Sequence, residues 1–250
     1  MRSIFPPLSP DGRHVAVMAT DRSNVEVWVW NLARDIKTRV SSAEGLDYLP
    51  VWSPSGEQVA FSAAWAGNFD IFLRGADGSG EESPLTDDPS HEFPSDWSRS
   101  GKYLLYHREE LETENDIWYL ERDDDSGAWE PHVFLRTRFR EGAAKFAPDE
   151  RFVAYVSNES GRDEVYVPPF PEGGRRLTVS GNGGRQPRWR RDGKELFYVQ
   201  GNTLIAVSVS TSPSFSVCST TPLFETIGTQ GGRWETYPNT MYRPTESALS

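Results

Sequence analysis

The chain has 250 residues, of which 36% are hydrophobic and 25% are charged, and its formal net charge is −11. Such an acidic chain repels the phosphates of nucleic acids and of anionic membrane surfaces, so neither is an expected partner. The single cysteine, Cys218, excludes an intramolecular disulfide and a cysteine zinc site. No apolar run is long enough to span a membrane, so we expect no membrane insertion by this chain.

A five-residue sequence motif, which we name the turn phrase, recurs along the chain and marks its repeats. It reads LSPDG at 8–12, WSPSG at 52–56, WSRSG at 97–101, FAPDE at 146–150 and WRRDG at 189–193. Its last residue returns at intervals of 43 to 49 residues. A period in the forties with strand-like content is typical of a β-propeller, in which each repeat forms one blade. The sequence therefore predicts an all-β propeller with five recognisable four-stranded blades.

The second repeat illustrates the predicted elements. A short apolar strand at 49–53 leads into the turn Pro54-Ser55-Gly56, and strands follow at 58–63, 70–73 and 83–86. Second strands of the later repeats are predicted at 103–106, 152–155 and 196–199. Third strands are predicted at 25–30, 116–120, 164–167 and 203–207. Several runs are apolar on both faces, as expected where neighbouring blades cover each sheet, and no helical periodicity is sustained.

The repeats predict a propeller over residues 1–225. Its blades are expected at about 5–40, 47–86, 92–137, 141–179 and 185–224. Residues 226–250 contain no turn phrase followed by an apolar strand, so they are expected to form an irregular or truncated tail. The first repeat begins within a few residues of the start of the sequence, so we expect a fragment of a longer protein and an incomplete six-bladed ring. Open strand edges on the first and fifth blades would favour self-association.

The turn phrase makes a conformational prediction. Gly56, Gly101 and Gly193 each close a tight turn before a strand, so we expect a positive φ at all three. Glu150 occupies the equivalent position in the fourth repeat. The turn at Glu150 should therefore differ in type or be strained.

Two further series of side chains recur with the repeat. Aromatic residues at one repeat position are expected to be buried between blades, although they could instead stack on sugars or bases: Trp52, Trp97, Phe146 and Trp189. Acidic residues open the third strands, where we expect each to bond its own hairpin, although they could instead ring a cation: Glu26, Asp70, Asp116 and Glu164.

The candidate binding residues lie just ahead of each innermost strand. They are Asp47, Glu92, Glu141 and Arg185. In a propeller this position lies near the mouth of the central channel, where ligands and ions bind. We predict ligand contact there. The alternative is a channel mouth that is polar only because it is wet.

Motifs that carry catalysis are not found in the sequence. There is no G-x-S-x-G nucleophile elbow, no kinase motif and no P-loop. The four histidines lack the i,i+4 pairing of a helical zinc site. We therefore expect no catalytic residues, no metal site and no cofactor, and hence no enzymatic activity.

The turn phrase and the acidic residue that opens the third strand resemble the TolB-like, WD-repeat-like propeller family of bacteria. The resemblance covers about residues 5–224. Its fourth and fifth repeats, AYVSNESGRDEVYVPPFP at 154–171 and GGRQPRWRRDGKELFYV at 183–199, look closest to propellers that follow the membrane anchor of bacterial Ser/Thr protein kinases. The chain departs from the family pattern where Glu150 replaces the turn glycine and where Arg99 and Arg191 replace the proline.

The resemblance implies a non-catalytic binding or scaffold module of a larger bacterial sensor or signalling protein. A protein or small ligand would bind at the channel mouth or across the blade tops. The sequence leaves the compartment open, and a membrane-anchored parent would place the propeller in the periplasm or elsewhere outside the cytoplasm.

Two other functions are left open. One is a propeller that gates a serine peptidase of the prolyl oligopeptidase type, which a hydrolase domain beyond residue 250 would reveal. The other is a metal-dependent propeller hydrolase such as a lactonase, which needs three or four convergent Asp, Glu, Asn or His residues at the channel.

Overall fold

The computed structural model describes residues 7–21, 24–41, 45–65, 67–110 and 113–225. Within these residues all regular secondary structure is β, as predicted, and it comprises nineteen strands. No helix with the length and hydrophobicity needed to cross a membrane occurs in the described ranges. The tail predicted at 226–250 lies outside the described residues.

The first two sheets correspond to the first two repeats. The first sheet contains β1 (His14–Asp21), β2 (Asn24–Asn31) and β3 (Ile36–Arg39). An isolated antiparallel bridge between Leu8 and Val15 marks its innermost position. The second sheet contains β4 (Asp47–Trp52), β5 (Gln58–Trp65), β6 (Asn68–Gly75) and β7 (Ser83–Pro84).

The remaining three sheets repeat this pattern. The third contains β8 (Glu92–Trp97), β9 (Tyr103–Glu110), β10 (Glu114–Arg122) and β11 (Trp129–Leu135). The fourth contains β12 (Glu141–Phe146), β13 (Val153–Ser157), β14 (Glu164–Val167) and β15 (Leu177–Thr178). The fifth contains β16 (Arg185–Trp189), β17 (Glu195–Gln200), β18 (Thr203–Ser210) and β19 (Ser216–Glu225). Within each sheet, neighbours in sequence pair in an antiparallel manner.

The turn phrase folds through local hydrogen bonds. In the second blade the Ser53 hydroxyl accepts a bond from the Gln58 amide at 3.0 Å, and the Gly56 amide donates to the Ser53 carbonyl at 3.0 Å. The φ angles of Gly56, Gly101 and Gly193 are 76°, 81° and 73°, which confirms the predicted left-handed turns. Glu150 has a φ of 60°, so this turn has the same left-handed conformation as the others. That conformation is strained for a residue other than glycine.

The repeated aromatic residues pack between blades. Trp52 and Phe146 are buried, and Trp97 and Trp189 are partly buried against neighbouring core clusters. The Trp52 indole donates to the Pro7 carbonyl at 2.9 Å, and the Trp189 indole donates to the Lys145 carbonyl at 3.1 Å. These bonds join successive blades, so the aromatic series contributes to the core between them.

The described sheets form an open ring. Extensive packing runs from the first sheet in order to the fifth, and in the described part of the chain the fifth sheet does not pack extensively against the first. The innermost strands are β4, β8, β12 and β16. We name the end of the ring where these strands begin the upper face, and the end where they finish, at the turn phrases, the lower face.

Candidate functional site

The innermost strands surround a central cavity of about 1370 Å³. Its wall is formed mainly by residues of β4, β8, β12 and β16 and of the adjoining turns, with contributions from the first blade and from β9, β10 and β13. Pockets for small ligands typically enclose about 300–1,000 Å³. The cavity is therefore large enough for a ligand bigger than a small metabolite.

The innermost strands carry a repeated β-bulge on the cavity wall. Leu49, Ala143 and Gln186 have φ angles of 51°, 54° and 54°, and the pairing register shifts at each of these places. A left-handed conformation at a residue other than glycine costs roughly 1–2 kcal/mol, and such strain concentrates at binding sites. Three blades thus retain the same strained residue beside the cavity.

A charged cluster follows the bulges. It consists of Asp96, Lys145 and Arg188, which precede the aromatic residue of the turn phrase in three successive blades and all line the cavity. Lys145 Nζ lies 3.5 Å from Asp96 Oδ1 and donates to the Ser95 carbonyl. Asp96 Oδ2 accepts a bond from the Phe146 amide at 2.8 Å. One carboxylate is therefore shared between an ammonium group and a backbone amide.

The two cations of this cluster influence each other. Burial lowers the pKa of Lys145 to about 8, with Asp96 opposing the change and the charge of Arg188 adding to it. Burial also lowers the pKa of Arg188, again opposed by Asp96. Arg188 Nη1 donates to the Pro187 carbonyl at 2.8 Å. The cluster therefore brings two like charges together, and the Asp96 carboxylate acts on both.

Two more arginines line the lower end of the cavity. Arg99 and Arg191 replace the proline of the turn phrase, and Arg99 Nη2 lies 3.4 Å from the Arg191 carbonyl oxygen. These residues are 92 positions apart in the chain. The ring thus brings together two departures from the repeat that are unconnected in sequence.

The four residues predicted to contact a ligand occupy equivalent places at the upper face. Asp47, Glu92, Glu141 and Arg185 are the first residues of β4, β8, β12 and β16. The three acidic residues are each 1% exposed, and of the four only Glu141 belongs to the cavity wall. Arg185 Nη2 donates to the Gly201 carbonyl of its own blade at 3.3 Å. Ligand contact at these residues remains a prediction.

Each acidic residue of this group bonds a hydroxyl near the end of the preceding sheet. Asp47 bonds Ser41, Glu92 bonds Thr86, and Glu141 Oε1 accepts a bond from Thr137 Oγ1 at 2.5 Å. The Ser41 hydroxyl also accepts a bond from the Val27 amide at 3.0 Å. These carboxyl groups therefore form bonds across the connections between the first four blades.

Burial has the largest effect on the pKa values of Asp47, Glu92 and Glu141. It raises the pKa of Asp47 to about 6 and the pKa values of Glu92 and Glu141 to about 7. Arg108 Nε, 3.2 Å from Glu92 Oε1, opposes the change at Glu92 without cancelling it. These carboxyl groups consequently protonate near neutral pH.

The acidic residues that open the third strands bond groups of their own blade or of the segment that leads to the next blade. Glu26 accepts a bond from the Trp28 indole at 3.1 Å, Asp70 from the Asn68 amide at 3.0 Å, and Asp116 from the Thr113 hydroxyl at 2.7 Å. Glu164 accepts a bond from the Gly183 amide at 2.9 Å. In the described ranges, no group of three or more His, Cys, Asp or Glu residues is arranged to hold a metal ion.

Sequence reasoning missed the charged cluster. The signal was available, because the residue before the aromatic position of the turn phrase is Val51, Asp96, Lys145 or Arg188 in successive repeats. Three of these four are charged, although the position lies within an innermost strand. An unexpected charge at a repeated strand position is typical of a residue that faces a cavity.

Comparison with known proteins identifies similar chains. The family model described as "TolB beta propeller domain" matches residues 1–126. The Tol-Pal system protein TolB of Anaeromyxobacter dehalogenans is 31% identical over 98 residues, which cover 38% of this chain and 22% of that protein. The TolB of Alcanivorax borkumensis is 36% identical over 58 residues, which cover 23% of this chain and 13% of that protein. The chain thus matches about a fifth or less of the length of these curated relatives.

Solved structures share the fold. The crystal structure of TolB from Acinetobacter baumannii has a TM-score of 0.68 at 18% identity, over 88% of this chain and 54% of the other. A structure described as putative TolB from Agrobacterium tumefaciens has a TM-score of 0.69 at 19% identity, over 88% and 79%. A prolyl endopeptidase structure has a TM-score of 0.60 at 14% identity, over 88% and 36%. At these identities the likeness shows the fold alone.

Proposed function

Because this chain belongs to the TolB β-propeller domain family, we propose that it is a non-catalytic binding domain whose partner is a protein segment held in the central cavity. The observation that carries this proposal is the cavity itself. It encloses about 1370 Å³ and is reached by side chains of all five blades. Its wall combines strained bulges with charged groups from several blades, as expected of a binding surface.

The proposal also concerns the longer protein of which this propeller would be one domain. We propose that the propeller is part of a larger bacterial sensor or signalling protein. The likeness of 154–171 and 183–199 to propellers of membrane-anchored kinases supports this assignment at the level of sequence resemblance. A periplasmic location would follow from such a parent.

Enzymatic alternatives receive less support. A metal-dependent hydrolase needs a cluster of ligands at the channel, and the described part of the chain offers no such group. A propeller that gates a peptidase would still act by binding, because the hydrolytic residues would reside in another domain. We expect no labelling of the purified chain by a fluorophosphonate serine-hydrolase probe, and labelling that one Ser→Ala change abolishes would contradict a non-catalytic role.

A peptide selection tests the binding proposal. The purified chain is screened against a displayed library of random peptides, and the affinities of selected peptides are measured by fluorescence anisotropy. Val51→Trp narrows the cavity, and Val133→Trp adds the same side chain at an exposed position on β11. Val51→Trp should weaken binding at least about tenfold, which corresponds to about 1.4 kcal/mol.

The control decides the interpretation. Val133→Trp should leave the affinities unchanged, because its side chain lies on the outer strand of the third sheet. Equal effects of the two substitutions, or a selection that yields no specific peptide, would contradict binding in the cavity.

A further inference from the structure

The charge of the cavity wall is opposite in sign to that of the whole chain. Among the described lining residues, three carry carboxyl groups: Asp96, Glu109 and Glu141. Five carry cationic side chains: Arg99, Arg140, Lys145, Arg188 and Arg191. The complete chain has a net charge of −11. On the described cavity wall, cationic side chains therefore outnumber carboxyl groups, although the chain as a whole is acidic.

The upper and lower parts of the cavity differ in charge. Near the upper face, Arg140 pairs with Asp163 at 2.7 Å, while burial raises the pKa values of Glu109 and Glu141. The lower part contains Arg99, Lys145, Arg188 and Arg191 together with Asp96. The excess of positive charge thus lies in the lower part, on the third, fourth and fifth blades.

The cations of the lower part are held in place by the fold. Lys145 and Arg188 follow the strained bulges of β12 and β16, at equivalent positions of adjacent blades. The exposed fraction of the Lys145 side chain is 18%, and this ammonium group shares Asp96 with the Phe146 amide. The charges of Lys145 and Arg188 repel each other, so an arriving anion would offset this repulsion in a partly dehydrated site.

We propose that the lower part of the cavity binds an acidic peptide segment of the partner protein, with peptide carboxylates against Arg188 and Lys145 and against the Arg99–Arg191 pair. This inference rests on the proposed function, since it names the chemistry of the partner at the same cavity. Guanidinium groups suit this role because they form forked bonds with carboxylates.

A peptide fits the site better than other anions do. The cavity is larger than a typical small-ligand pocket, and its cations extend from the bulges to the lower mouth across three blades. A long polyanion such as a nucleic acid would be repelled by the whole acidic surface. A short acidic segment places its charges only where the wall is cationic.

The test uses labelled peptides of defined charge with the full chain. Hexaglutamate, hexalysine and a neutral Gly-Ser hexapeptide are titrated in low salt, and binding is followed by fluorescence anisotropy. Hexaglutamate should bind despite the net charge of −11, and its affinity should fall as salt is raised. A short oligothymidylate is included, and binding of this probe in preference to hexaglutamate would overturn the proposal.

Variants locate the binding. Arg188→Gln and the double variant Arg99→Gln with Arg191→Gln should each weaken hexaglutamate binding at least about tenfold. Arg188→Lys should retain part of the affinity, which separates loss of charge from loss of structure. Arg13→Gln removes an exposed arginine from the equivalent lower turn of the first blade and should leave the affinity within about twofold.

The outcomes separate the two proposals. If peptides from the selection lose affinity with Val51→Trp but hexaglutamate does not bind, the cavity is a binding site and its acidic specificity is wrong. If Val51→Trp affects no peptide of any charge, both proposals fail. If Arg13→Gln weakens hexaglutamate binding as much as Arg188→Gln does, the binding is a general surface effect and the acidic-peptide site is refuted.

Discussion

The carboxylate of Glu150 bonds the turn of the preceding blade, where it accepts one hydrogen bond from the Ser100 amide at 2.5 Å and another from the Ser100 hydroxyl at 2.8 Å. Glu150 itself sits at φ 60°, where the equivalent turns have glycine. The backbone of Glu150 is therefore strained, but its side chain forms hydrogen bonds to the neighbouring blade that glycine could not form.

The contact between Glu150 and Ser100 predicts that two substitutions of Glu150 will change the free energy of unfolding by different amounts. Glu150→Ala keeps the strain and loses both bonds, so it should lower the free energy of unfolding by about 1 kcal/mol. Glu150→Gly loses the same bonds but relieves the strain, so it should be closer to neutral. Urea unfolding measures both values, and a larger loss for Glu150→Gly than for Glu150→Ala would show that strain at this turn is negligible.

The buried aromatic series predicts a large loss on truncation. Trp52 is 7% exposed, packs in the core cluster of Val27 and Phe61, and donates to the Pro7 carbonyl. Trp52→Ala should lower the free energy of unfolding by about 3–5 kcal/mol, because it leaves a cavity between the first two blades. Trp30→Ala, at a half-buried indole bonded to Asp35, should cost much less. Comparable melting temperatures for the two variants would argue against burial of Trp52 as the main role of this position.

The raised pKa values of the upper-face carboxyls predict a pH dependence of stability. Glu92 and Glu141 have folded pKa values of about 7, against an ordinary value of 4.5. Between these values the folded state binds more protons than the unfolded state, so stability falls as pH rises from about 4.5 to 7 and levels off above it. These two residues should make the chain more stable at pH 5 than at pH 8.

An isosteric variant isolates this effect. Glu141→Gln keeps an oxygen that can accept the Thr137 bond and removes the titration. It should raise the melting temperature relative to the parent at pH 8 and change it little at pH 5. Glu57→Gln, at an exposed turn, should show no such difference between the two pH values. A shift for Glu141→Gln that is the same at both pH values would contradict a proton-linked contribution.

The exposed outer strand of the fifth sheet predicts self-association. All ten residues of β19 are exposed at the outer position of the fifth sheet, and Phe224 is 60% exposed. An exposed edge strand with apolar side chains favours pairing with another chain. Light scattering coupled to size-exclusion chromatography should show a mass that increases with concentration, and Phe224→Lys should reduce that increase more than Val133→Lys. A monodisperse monomer over a wide concentration range would contradict association through this edge.

Sequence alone determined the architecture because the repeat acts locally. The turn at 52–56 closes through bonds between residues within a few positions of each other, and Gly56 takes the left-handed conformation that a glycine adopts at little cost. The same local rules placed strands near β5 and β6 and identified Glu150 as the unusual turn. Five repetitions of one local signal were sufficient to predict a propeller.

The central site was decided by the tertiary structure. Arg99 and Arg191 were recognised as departures from the repeat, but only the ring brings them together across 92 positions. The burial of Asp47, Glu92 and Glu141 likewise depends on neighbouring blades, which a position at a strand start does not reveal. The bulges at Leu49, Ala143 and Gln186 set which side chains line the cavity. Local hydrogen bonds and backbone preferences can be read from short segments, whereas burial, desolvation and the meeting of distant charges arise only when the blades pack around a common axis.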